Sequence, residues 1–150
     1  MHTSGEKVIE LEAGWCYLRY AEAGRNNPSL LFIHGLGDSS LAFDEALADE
    51  SLRDFNLYAP DLFGCGRSTC AGDNDYRLEK LGRHLRELMK QLEVESYYLV
   101  GHSMGGDIAT LMAQADVRNT IRAVVNIEGN LTQDDLFISR TAAQMSAAGR

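Results

Sequence analysis

The sequence predicts an α/β domain, a three-layer sandwich in which a mostly parallel, twisted sheet carries helices on both faces. Three observations lead there. Strand-like and helix-like segments alternate from Leu30 to Ile127, the order that right-handed crossovers turn into a parallel sheet. The strands include continuous apolar runs such as Leu30-Leu31-Phe32-Ile33, which need cover on both faces. Short polar, glycine-containing motifs follow three of the strands, and in such a sheet the carboxyl ends of the strands form the ligand-binding edge.

The elements follow in order. Val8–Leu11 and Trp15–Tyr20 are short runs parted by Glu12-Ala13-Gly14, a hairpin with a tight glycine turn. After the loop Asn26-Asn27-Pro28-Ser29 comes the Leu30–Ile33 strand. Ser39 or Ser40 can cap a helix reaching to about Ser51, with Leu41, Phe43, Ala46 and Leu47 on its inner side. Phe55–Ala59 is the next strand, ended by Pro60. From Asp75 to Gln91 the residues Leu78, Leu81, Leu85, Leu88 and Met89 recur at helical spacing, predicting an amphipathic helix with His84 solvated in its middle. Tyr97–Val100 is a strand, Ser103 to about Ala115 a helix, and Ile121–Ile127 a further strand. Past Glu128 the composition turns polar, and Asp134 to Arg150 carries Leu136, Phe137, Ile138 and Met145 in a helix-like segment.

Composition narrows the function classes. Acidic residues outnumber Lys plus Arg by 22 to 14, a formal charge of −8, and no basic cluster offsets it. Nucleic acid and anionic membranes are therefore disfavoured as partners. The N-terminal stretch has no long apolar run, so neither a signal peptide nor a membrane span is read. Three cysteines, Cys16, Cys65 and Cys70, are an odd number that argues against a disulfide framework and for a reducing cytoplasm. They read as small buried fillers. No cysteine or histidine spacing suggests zinc. Gly64-Cys65-Gly66 lacks the third glycine of a dinucleotide fingerprint, Thr69 standing in its place. No metal and no cofactor are expected.

The chemistry centres on Gly101-His102-Ser103-Met104-Gly105-Gly106. A G-x-S-x-G pentad between a strand and a helix is the signature of a nucleophile elbow. Gly101 and Gly105 lack Cβ atoms, so strand and helix can approach closely while Ser103 holds its hydroxyl out of a strained turn. The competing role for Ser103, capping the helix through its hydroxyl, does not require a glycine on each side. The expected chemistry is acyl transfer through a serine ester, on a small-molecule acyl substrate. Met104 offers a backbone N–H at the helix start to a developing oxyanion, and Leu36 a second.

His34-Gly35-Leu36-Gly37, Asp61-Leu62-Phe63-Gly64-Cys65-Gly66-Arg67-Ser68 and Gly101–Gly106 stand in an order that resembles the α/β-hydrolase superfamily, and the resemblance spans essentially the whole chain. It implies the sheet order first, second, Phe55, Leu30, Tyr97 and Ile121 strands. It implies that residues 1–150 are the N-terminal portion of a hydrolase domain whose fold is C-terminally incomplete, with 131–150 beginning a cap or lid. His34 then serves as a structural hydrogen-bonding residue that, with Gly35, orients the oxyanion loop. Asp61 and Arg67 form a structural pair that fixes their loop near the pocket.

The acid and the base are less directly given. Most families with this fold place the acid after a later strand, beyond Arg150; a minority place it at the end of the Ile121–Ile127 equivalent, where this chain has Glu128. No histidine follows Ser103, so the base must come from a missing C-terminal segment or a partner chain. Carboxylic-ester hydrolysis ranks first; amide or carbon–carbon bond hydrolysis and a catalytically inactive binding or assembly module are the alternatives. Val124, Val125 and Ile127, if left on a sheet edge, predict association into a homo-oligomer.

Overall fold

A computed structural model describes residues 3–130; the expected cap segment at 131–150 and its Leu136–Met145 helix lie outside the described residues. Six strands form one sheet: β1 (Thr3–Leu11), β2 (Gly14–Glu22), β3 (Ser29–Ile33), β4 (Asn56–Pro60), β5 (Tyr97–His102) and β6 (Ile121–Ile127). Their order across the sheet is β1-β2-β4-β3-β5-β6. The first two pairings are antiparallel and the other three parallel. Both the order and the mostly parallel character agree with the reading of the sequence.

The continuous apolar run of β3 has a direct cause, since alternate side chains on a strand point to opposite faces. Leu31 and Ile33 face the helices α2 (Leu78–Gln91) and α3 (Met104–Gln114), packing with Leu85, Leu88, Ile108 and Met112. Leu30 and Phe32 face the other way, toward Phe43, Ala46 and Leu47 around the short helix α1 (Asp44–Ala48). Helices thus cover both faces. No described helix is long and apolar enough to cross a membrane.

Several local expectations need correction. The helix expected from Ser39 or Ser40 to Ser51 is broken into a 3-10 turn (Ser40–Phe43), α1 and a second 3-10 turn (Glu50–Leu52). Asp49 is extended and its carboxylate accepts the Ser51 N–H at 2.8 Å, a local bond that competes with helix continuation. In this interrupted segment Leu41 is 64% exposed rather than inward. Helix α2 starts at Leu78, not Asp75, because the Asp75 carboxylate binds the Arg77 backbone N–H and guanidinium at 2.7–3.2 Å and leaves Arg77 extended. Cys16 is buried, Cys65 half-buried and Cys70 exposed, so Cys70 is no core filler. Burial pushes the Cys16 thiol up to about 12.

His84 is buried rather than solvated, 8% exposed, with its ring edge-on to Phe63 at 4.6 Å between centroids. Its Nδ1 has no partner among the described residues. Desolvation, reinforced by Lys80, holds its pKa below the usual value of 6.5. The unfolded chain therefore binds a proton that the folded chain resists, and stability rises with pH through this window. Urea melts are expected to show stability falling as pH drops through 6.5 toward the lowered folded value. The His84→Phe variant should flatten that dependence; an unchanged slope would contradict the assignment.

Candidate active site

Ser103 sits between β5 and α3 at φ 52° and ψ −124°, a conformation that strains a residue with a side chain. Its backbone is tied on both sides: the Ser103 N–H donates to the Ile127 carbonyl at 2.8 Å, and its carbonyl accepts from Gly106 N–H at 2.8 Å. The side chain makes no capping hydrogen bond, so the hydroxyl is not spent on starting the helix. The crossing behind it leaves no room for a Cβ. At Gly105 one would overlap the backbone of Ile33 and His34; at Gly101, that of Gly105 and Gly106.

The loop after β3 is oriented by His34, which is fully buried. Its Nε2 accepts the Leu62 N–H at 3.0 Å, so the proton of the neutral ring lies on Nδ1 and is donated to the Gly35 carbonyl at 2.8 Å. Asp38 N–H donates to the same carbonyl at 3.4 Å. A trans peptide points its C=O and N–H in opposite directions. Anchoring the Gly35 oxygen toward His34 therefore turns the Leu36 N–H the other way, and no acceptor among the described residues takes it. Gly35 lies against the elbow, where a Cβ would come within 3.2 Å of Ser103 Cβ. Met104 N–H belongs to the first residue of α3, where no intrahelical acceptor exists and the helix dipole is positive.

Asp61 is buried at the end of β4, and its carboxylate accepts the Ser40 and Arg67 backbone N–H groups, each at 2.7 Å. It ties the loop before α1 to the loop after β4. The expected Asp61–Arg67 pair is thus made through the backbone of Arg67. The guanidinium goes instead to Glu6 at 3.1 Å and the Tyr17 hydroxyl at 2.9 Å, partners in the hairpin that the sequence offered no way to place.

Glu128 directly follows β6 at φ 58°, another non-glycine in the left-handed region. Its Oε2 lies 3.7 Å from His102 Nε2, and its side chain is 81% exposed. Because Ser103 N–H binds the carbonyl of Ile127, Glu128 is one residue from the serine's own backbone contact. The structure thus gathers Ser103, Gly35, Met104, His102 and Glu128 around one sheet end. Sequence reasoning passed over Asp107, Asn126 and Asn130, whose side chains hold the turn around Glu128. Nothing in their spacing marked them. A groove of about 1450 Å³ lies elsewhere among the described residues, lined by Glu12, Lys80, Arg86, Asp116 and Thr120. It opens near the amino ends of β5 and β6 and contains none of the motif residues.

With His34 setting the Gly35–Leu36 peptide, His34→Ala is expected to free that peptide to turn over. If the Leu36 N–H serves as an oxyanion donor, kcat of a catalytically competent form should fall by about 10²–10³-fold with little change in KM. Steady-state kinetics on an activated ester check this; a change confined to KM would contradict it.

Residues 28–148 match the alpha/beta hydrolase fold family. An uncharacterized protein of Mycobacterium tuberculosis is 32% identical over 127 residues, covering 85% of this chain and 37% of the relative. The chain therefore spans little more than a third of that relative's length. Among solved structures, the N-acyl homoserine lactonase AidH superposes with a TM-score of 0.78 at 26% identity, over 89% of this chain and 48% of the lactonase. A thioesterase domain from the curacin biosynthetic pathway gives 0.75 at 25% identity, over 96% of this chain and 53% of the domain. With the match over most of its length and the three motifs at the carboxyl ends of their strands, the chain belongs to the alpha/beta hydrolase fold family, a family of hydrolases.

Proposed function

We propose that this chain carries the nucleophile and oxyanion hole of a serine hydrolase that cleaves a carboxylic ester or related acyl substrate through an acyl-enzyme. The observation that carries the reading is Ser103: strained, free of any capping bond, followed by the Met104 N–H at the start of α3 and packed against Gly35, whose neighbour Leu36 has an N–H with no acceptor among the described residues. Ser103 Oγ attacks the acyl carbon while a base takes its proton. The Leu36 and Met104 N–H groups receive the negative charge that develops on the carbonyl oxygen. The tetrahedral intermediate then collapses, the base passing its proton to the departing alkoxide or thiolate, and water, deprotonated by the same base, attacks the acyl-enzyme to release the acid and restore the Ser103 hydroxyl. A lactonase and a thioesterase among the structural neighbours both act on acyl carbons, which supports this substrate class.

The base in this reading is a histidine supplied by a further segment, since the chain spans only 37% of a curated relative and 48% of the lactonase, and Glu128 orients it. The active enzyme is then this chain together with a histidine-bearing segment. Initial rates on p-nitrophenyl esters of graded acyl length test the proposal. The chain alone should turn over slowly or not at all, and the histidine-bearing form should gain about 10²–10⁴-fold, the range of general-base assistance. Robust Ser103-dependent turnover by a monomeric chain alone would contradict the external base. It would direct attention to His102.

A further inference from the structure

The turn that carries Glu128 is held from two sides by side chains with no assigned role. Asp107, in the first turn of α3, accepts the Asn130 backbone N–H on Oδ1 at 2.6 Å and the Asn130 side-chain amide on Oδ2 at 3.0 Å. Asn126, near the end of β6, accepts the Gly129 N–H on Oδ1 at 2.8 Å, and its Nδ2 reaches Thr110 Oγ1 at 3.5 Å. A Cβ on either Gly106 or Gly129 would collide with the Asn126 amide, so helix, strand end and turn are packed on that one group. Glu128 occupies the apex between these anchors at φ 58°.

A non-glycine residue is held in that region only where its surroundings over-determine it. Here the surroundings are two bonds from Asp107 and one from Asn126. The arrangement parallels the elbow at Ser103, also at positive φ, and both turns are fastened to α3. We propose that Asp107 is the positioning residue for Glu128, fixing the turn after β6 to the nucleophile helix so that carboxylate and serine keep one relative placement. The inference rests on the assignment of Glu128 as the orienting acid. It adds a residue that touches neither substrate nor base and acts through Asn130.

The test has two parts. In the chain itself, amide hydrogen exchange should show the Asn130 N–H protected in the native protein and unprotected in Asp107→Ala, with the α3 and β6 amides unchanged. In the active enzyme, Asp107→Ala should lower kcat by up to about 10²-fold, the cost of misplacing a catalytic group by about an ångström, with KM unchanged. It should add nothing further in a Glu128→Gln background. Asp107→Asn keeps an oxygen for the Asn130 N–H, and the Asn130 amide can turn over to meet the new donor, so this variant should recover most of kcat. Unchanged protection of Asn130 in Asp107→Ala would overturn the clamp, as would losses from Asp107→Ala and Glu128→Gln that multiply. A silent Glu128→Gln would instead overturn the acid assignment beneath it.

Discussion

Replacing Ser103 by alanine is expected to reduce kcat of the active enzyme on activated esters by about 10⁴–10⁶-fold, the range seen when a serine hydrolase loses its nucleophile. The fold should survive, because the Ser103 hydroxyl makes no capping bond and the anchors of the elbow are backbone groups of Ile127 and Gly106. Ser103→Gly sharpens the test. Glycine adopts a φ of 52° without the penalty paid by a residue with Cβ, so this variant should be equally inactive yet more stable, by about 1 kcal/mol. Loss of activity with gain of stability when Cβ and Oγ are both removed identifies strain held for function. Urea unfolding and ester kinetics on the two variants read both quantities.

The opposite substitution at the crossing should act on the fold. Gly105→Ala places a methyl into the backbone of Ile33 and His34, where no flexible side chain can yield. Overpacking of this kind costs about 1–3 kcal/mol and more where the clash is with backbone; we expect the upper end or beyond. The displacement would push α3 off β3, carrying the Met104 N–H away from the loop that holds Leu36. Stability and activity should therefore fall together. A Gly105→Ala protein of native stability would show that the helix can shift freely, contrary to the packing described.

Much of the fold was legible because its signals are local or periodic. The two-sided burial of β3 is written as an uninterrupted apolar run, and the elbow as two glycines around a serine. Where the reading failed, a tertiary or side-chain bond outweighed local propensity. Asp75 and Asp49 turn their carboxylates onto nearby N–H groups and shift or break helices that periodicity alone would continue. His84 looks solvated on a polar stretch of helix, but Phe63, from a loop distant in sequence, closes over it. Arg67 is drawn past Asp61 to Glu6 and Tyr17, across the sheet. That Ser103 stands between β5 and α3 followed from the glycines around it. The bonds of Asp107 and Asn126 had no such local signal, since their partners Asn130 and Gly129 meet them only after α3 and β6 have packed.

The proposed function requires Ser103 to form a covalent acyl intermediate in an oxyanion hole made by the Leu36 and Met104 amides. Acid-quenching the active enzyme during turnover of a slowly deacylating aryl ester, followed by intact-mass and peptide-mapping mass spectrometry, tests it most directly. One acyl addition per chain is expected, on the peptide containing Ser103, and none in Ser103→Ala. Acyl addition on another residue, such as the exposed Cys70, or one that persists in Ser103→Ala, would contradict it.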